Sequence, residues 1–262
     1  MSPETPFLLS GVLHLLPLPA APHAGPGFRA VLDRALYDAE ALVLGGIHSC
    51  VVENFGDAPF VATGVDPHVP AMMAVIGAAL RQRFGDALSL GLNILRNDAI
   101  AAMGAAAACE AAFIRVNVLS GATWTDQGLI TGEAHRLLRY RRELGAPVRI
   151  AADLLVKHGV PAGQTDLGEL AREASGRGGA DVLILTGSRT GAPASLDDVA
   201  RVREAVPSLP AWVGSGVTPE TVAAVARVAQ GAIVGTTLHQ EGRIGLPLDI
   251  ERVRRLVGAL GA

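Results

Sequence analysis

Short apolar runs recur along the chain, each followed by small and polar residues and then by a stretch of helical periodicity. The runs Leu8–Leu15, Ile47–Glu53, Leu88–Ile94, Ala112–Val118, Val148–Leu154, Asp181–Thr186, Ala211–Gly214 and Ala232–Val234 predict strands. Helices are predicted over Phe28–Leu44, Pro67–Phe84, Asp98–Ala108, Gly132–Leu144, Asp166–Arg177, Leu196–Ala205, Pro219–Arg227 and Ile250–Leu260. Asn97, Thr165 and Ser195 stand where N-caps belong, and Gly45, Gly85 and Gly145 where C-caps belong. Strands alternating with helices imply a parallel sheet. These units within 262 residues match a (β/α)8 TIM barrel, so the fold class is α/β and the chain reads as one domain over residues 1–262. A doubly wound open sheet is less favoured, because no Gly-x-Gly-x-x-Gly follows the first strand.

Composition narrows the class of partner. Half of the residues are hydrophobic, so a sizeable core is available, and few are aromatic. The net charge is −3 and no basic block occurs, which argues against nucleic acid as a partner. Cys50 and Cys109 lie far apart in apolar runs and read as buried free thiols, which suits a reducing, cytoplasmic setting. Phe7–Ala20 loosely imitates a signal peptide, but it lacks a basic start, follows Glu4 and contains Pro17 and Pro19. It reads as the first strand. Ala99–Ile114 is interrupted by Glu110 and too short to span a bilayer. No direct membrane insertion is expected, and association into a homo-oligomer remains open.

The active site of such a barrel lies at the C-terminal ends of its strands. Strand period two then groups Ser49, Val51 and Glu53, Gly91 and Asn93, Phe113, Arg115 and Asn117, and Ala151, Asp153, Leu155 and Lys157 on shared faces. Glu53, Asn93, Arg115, Asn117 and Asp153 should therefore meet near one end. Charged residues in apolar strands are costly to bury unless paired, so Arg115 is expected in an ion-pair layer. Glu53 and Asp153 fit that layer and an acid–base role equally well. Lys157, followed by His158, could form a Schiff base or be an ordinary loop lysine. His14 ends the first strand as a candidate base. No cofactor is evident, and a divalent metal has no supporting motif.

Two polar loops stand out. Ser120–Gly132 reads as a lid over the pocket. TGSRTG, Thr186–Gly191, offers backbone amides, hydroxyls and Arg189 to an anion. A further pair of glycine-ended strands is WVGSGVTPE, Trp212–Glu220, and GAIVGT, Gly231–Thr236. Thr218 suits an N-cap and Pro219 the first helical position. Loops after the seventh and eighth strands are the usual phosphate site of these barrels. Gly187, Ser188, Gly214, Ser215, Gly216, Gly235 and Thr236 form the expected cradle for a phosphorylated small-molecule ligand.

The segments HLLPLP, VENFGDAPF, Arg115–Gly132, DLLVKH, ADVLILTGSRTG, VGSGVTPETV and GAIVGT together resemble the BtpA family, named for a protein required for photosystem I biogenesis. The resemblance covers nearly the whole chain. It implies a TIM barrel and either a membrane-complex biogenesis role or a sugar-pathway role, with no assigned catalytic set to carry over. The chain departs from the family pattern at LPAAP, in place of LPGSP, and at His239, where relatives often carry lysine. Two functions remain in view. One is an enzyme acting on a phosphorylated sugar or nucleoside-derived metabolite: an isomerase using Glu53 or Asp153 as base, an aldolase-type lyase using Lys157, or a hydrolase of a glycosidic bond using both carboxylates. The other is a non-catalytic assembly factor, for which an exposed apolar patch is expected.

Overall fold

The structure, a computed structural model, describes residues 7–25, 27–156, 158–187 and 194–261. The strands are β1 (Leu8–His14), β2 (Ser49–Glu53), β3 (Ser89–Asn93), β4 (Phe113–Val116), β5 (Ala122–Thr125), β6 (Gly128–Thr131), β7 (Arg149–Asp153), β8 (Gly159–Pro161), β9 (Val182–Leu185), β10 (Ala211–Val213) and β11 (Gly231–Val234). The helices are α1 (Phe28–Gly45), α2 (His68–Phe84), α3 (Ala99–Ala108), α4 (Ala134–Leu144), α5 (Leu167–Gly176), α6 (Leu196–Ala205), α7 (Val222–Val228) and α8 (Ile250–Leu260). β1, β2, β3, β4, β7, β9, β10 and β11 close into a parallel barrel, with β11 pairing back onto β1. The predicted strands are the barrel strands. Both of their faces are buried, so each reads as a near-continuous apolar run.

Inward positions follow the expected alternation. Val12, Val51, Phe113, Ala151, Ile184 and Trp212 belong to one interior cluster, with Phe113 and Trp212 packed edge to face at 5.5 Å between ring centroids. Each large ring lies against a glycine of the next strand. A Cβ on Gly91 would run into the Phe113 ring, and one on Gly231 would sit 2.9 Å from Trp212 Cδ1. Outside the barrel, α1 buries Val31, Ala35, Ala39 and Leu42 at helical spacing and meets α8 where Gly45 faces Val253.

Four local expectations are corrected. Ser120–Gly132 is no open loop: β5 and β6 form an antiparallel hairpin through Asp126 and Gln127, and β8 pairs with the other edge of β5. Ala-Thr-Trp-Thr alternates at strand period, and Gly128 supplies the positive φ (96°) after the turn. The N-cap of α3 is Asp98, which accepts from the Ala101 N–H at 2.9 Å, while Asn97 bridges to both backbone groups of Val118. In the same way Asp166, not Thr165, caps α5, whereas Ser195 caps α6 as expected. Finally, α7 starts at Val222, because the Thr218 carbonyl accepts from Thr221 and Val222 and holds Pro219–Glu220 in a preceding turn.

Candidate functional site

A cavity of about 860 Å³ opens at the C-terminal end of the barrel. One side is a ladder of polar side chains. Arg115 donates to both Asp153 oxygens at 3.1 Å, a bidentate pair, and Asn117 donates to Asp153 Oδ2 at 2.8 Å. Asn93 donates to the Arg115 carbonyl and to Asn117 Oδ1, at 3.1 and 3.2 Å. Glu53 lies farther from Arg115, with 3.9 Å between Oε2 and Nη1. Burial opposes the Arg115 charge, but Asp153 and Glu53 outweigh it and hold the guanidinium above its ordinary value. The Asp153 side chain has no exposed surface and does not line the cavity, whereas Glu53 and Asn117 do. The strand β7 ends at Asp153, so strand alternation does not carry on to Leu155.

The loop after β2 positions this side. Asn54 accepts from the Leu95 N–H at 2.8 Å and donates to Asp57, which accepts from the Leu18 N–H at 2.8 Å. Gly56 fits between them because a Cβ there would lie 2.7 Å from the Leu15 carbonyl oxygen. These hydrogen bonds tie the loops after β1, β2 and β3 together. Arg96, just past β3, also lines the cavity. Burial lowers its pKa, against the raising effect of Asp153, Glu53 and Asp126. Sequence reasoning missed Arg96, although it follows a predicted strand end, and missed Phe55 and Phe60, which line the same wall.

His14 sits between the two sides. Its Nδ1 is 2.9 Å from His239 Nε2, and His239 Nδ1 is 2.6 Å from the Leu246 carbonyl oxygen. A carbonyl only accepts, so His239 Nδ1 carries the proton. Burial lowers the His239 pKa despite the Leu246 carbonyl and Asp38, which favours the neutral ring. Its Nε2 therefore accepts, and His14 Nδ1 donates. His14 Nε2 lies on the other side of the ring, beside Gly235. A Cβ on Gly235 would stand 2.7 Å from His14 Cε1 and 3.3 Å from Nε2. His239 is thus turned away from the glycine loops and is not a cation beside them.

The opposite side is built largely from glycines and small hydroxyl residues. Gly214, Ser215, Gly216, Gly235, Thr236 and Thr237 line it. A Cβ at Gly214 would clash with Thr186 at 2.6 Å, and Gly216 has φ +70°. Thr237 Oγ1 donates to the Val217 carbonyl at 3.0 Å and ties the two loops together. Among the described residues, the N–H groups of Gly216 and Thr236 donate to no acceptor. Gly187 does not line the cavity, and its N–H is donated to Ser215 Oγ at 2.7 Å. Lys157 and Ser188 lie outside the described residues. Among the described residues, no group of three or more His, Cys, Asp and Glu side chains could hold a metal ion, and no helix is long and apolar enough to cross a membrane.

A closed eight-stranded parallel barrel with its cavity at the strand C-termini defines the (β/α)8 class. Solved barrels agree with this fold. The KGPDC of Streptococcus mutans superposes with a TM-score of 0.62 at 11% identity, covering 97% of both chains. The N-(5'-phosphoribosyl)anthranilate isomerase of Pyrococcus furiosus superposes with a TM-score of 0.56 at 14% identity, covering 97% of this chain and 98% of that one. The chain belongs to the BtpA family, whose model matches residues 6–261. It is 43% identical to the photosystem I biogenesis protein BtpA of Synechocystis sp., over 95% of this chain and 86% of that protein.

Proposed function

We propose that the protein is an enzyme acting on a phosphorylated sugar or nucleoside-derived metabolite. The observation that carries this reading is one cavity with Glu53 and His14 on one side and, on its glycine side, backbone N–H groups that donate to no acceptor among the described residues. The phosphate would rest against Gly216, Gly235 and Thr236. The reacting carbon would then face Glu53 and His14 Nε2, a carboxylate and an imidazole suited to moving a proton beside a carbonyl. Proton transfer in an isomerase or lyase fits this arrangement better than hydrolysis by two carboxylates, because both Asp153 oxygens are engaged by Arg115 and Asn117. Solved barrels of the same fold include an isomerase named for a phosphoribosyl substrate, which supports the substrate class.

A thermal-shift panel that pairs ribose 5-phosphate with ribose tests this. A ligand at 100 times its Kd adds about 2.7 kcal/mol of stability. Selective stabilisation by the phosphorylated member is expected; no shift by any phosphorylated member would overturn the reading.

A second reading, an assembly factor, is favoured by one feature. Trp124, Leu129 and Val160 are 56%, 44% and 67% exposed and stand side by side across the β6–β5–β8 sheet. Such a stripe suits a protein partner. The name of the Synechocystis relative supports it too. A stable partner lost on Trp124→Ser, with no metabolite bound, would establish this reading in place of the first.

A further inference from the structure

The arginines of α8 differ in how their charge is met. Arg254 donates to Glu251 at 2.6 Å and Arg255 to Glu220 at 3.1 Å. Arg252 is half-buried, and among the described residues it pairs with no carboxylate. Its Nη1 donates to the Thr237 carbonyl at 3.2 Å, within the short turn Thr236–Leu238 that follows β11. Asp249, the N-cap three residues before it, accepts instead from the backbone N–H groups of Glu251 and Arg252. Arg252 lines the cavity with Gly216, Thr236 and Thr237.

We infer that Arg252 is the cation of the anion site, the group that binds the phosphate oxygens alongside the Gly216 and Thr236 N–H groups. This rests on the phosphorylated-metabolite reading above. A half-buried guanidinium without a counter-ion is costly, and a bound anion offsets that cost. One N–H fixed on a carbonyl orients the fork and leaves its other donors for two oxygens of one phosphate. The carbonyl bond also anchors the turn that presents the Thr236 N–H, so side chain and cradle are held as one unit. His239 cannot fill this role, since both of its ring nitrogens are engaged by His14 and Leu246.

The test is calorimetric titration of the full chain with ribose 5-phosphate and with inorganic phosphate. Wild type is compared with Arg252→Gln, with Arg252→Met, which keeps the aliphatic stem, and with Arg254→Gln, which removes the same charge from an exposed position. Loss of a charged hydrogen-bond pair predicts binding weakened about 10- to 100-fold in both Arg252 variants and little changed in Arg254→Gln. Circular dichroism and melting show which variants are folded, and either folded Arg252 variant suffices. Wild-type affinity for both probes in a folded Arg252 variant would overturn the inference while leaving the phosphorylated-metabolite reading intact. Binding of inorganic phosphate alone, lost with Arg252, would uphold the inference and remove that reading. Failure of wild type to bind either probe would remove both.

Discussion

Across the mouth of the barrel, the side built from β2, β3, β4 and β7 carries Glu53, Asn93, Arg115, Asn117 and Asp153, bonded to one another at 2.8–3.9 Å. The side built from β10 and β11 offers glycines, a serine, threonines and their backbone N–H groups, joined by Glu220, Arg252 and Arg255 from the segments beyond. The first side resists change because each charge there is held by another. The second resists change because a side chain added at its glycines has nowhere to go. A ligand that spans the cavity would meet reactive groups on one side and a shape-defined cradle on the other. Gly214 marks the seam, since a Cβ there would lie 3.5 Å from Arg115 Nη2.

The largest effect is expected from Asp153→Asn, which leaves Arg115 buried with, among the described residues, Glu53 at 3.9 Å as its remaining carboxylate. Breaking a buried pair by removing one partner costs about 3–5 kcal/mol, so urea denaturation should show a loss near the lower end. A stability within about 0.5 kcal/mol of wild type would mean that the ladder is not structural. Glu53→Gln should divide the same side by role: the fold stays within about 1 kcal/mol of wild type, while turnover of the substrate found by the ligand panel falls about 100-fold or more. Equal loss of stability in both variants would erase the distinction between a structural and a reacting carboxylate.

On the glycine side, Gly235→Ala should push the His14 ring and weaken phosphate-ester binding, with about 1–3 kcal/mol of destabilisation from overpacking. Unchanged binding would place the ligand elsewhere in the cavity. A smaller effect concerns His239. Its folded pKa is below the ordinary 6.5, so the unfolded chain takes up the proton first. Its contribution to stability is therefore fully present above about pH 6.5 and is lost as pH falls from there through the folded value. His239→Gln should flatten that slope in melts at stepped pH, relative to wild type, in which Asp38, Arg34 and His14 are unchanged neighbours. A slope equal to that of wild type would assign the acid sensitivity to other groups. The smallest effect, within about 0.5 kcal/mol, is expected from Trp124→Ser, whose side chain is more than half exposed. A larger loss would show that the hairpin is tied to the barrel by more than its strand pairing.

The barrel was legible because parallel strands covered on both faces read as apolar runs, and because Asn, Asp, Ser and Gly mark helix ends. The N-caps of α3 and α5 were off by one for a local reason: Asn97 precedes Asp98, Thr165 precedes Asp166, and either neighbour could cap. In α3 the choice followed from the reach of Asn97 to Val118, a contact 21 residues away. The hairpin escaped because its strands have only four residues each and its outward face stays half exposed. The ladder from Glu53 to Asp153 followed from strand period two, which brought together residues that the structure also brings together. The His14–His239 pair did not follow, since 225 residues separate its members and no local pattern joins them. Nothing in the sequence sets Arg252 apart from Arg254 and Arg255; the fold shows that, among the described residues, those two have acidic partners and it does not.

The pairing of Gly91 with Phe113 and of Gly231 with Trp212 bears on how this interior can evolve. Each ring fills the volume that its glycine leaves vacant, so the two members of a pair are a single variable. Enlarging either glycine by one methyl group collides with a ring, and shrinking either ring opens a void of several methylenes. Single steps in both directions are penalised, whereas a concerted exchange that conserves the summed volume is not. Descendants of this chain would therefore cross between alternative interiors by coupled double substitutions, and the two sites of each pair should show strong epistasis in any combinatorial library.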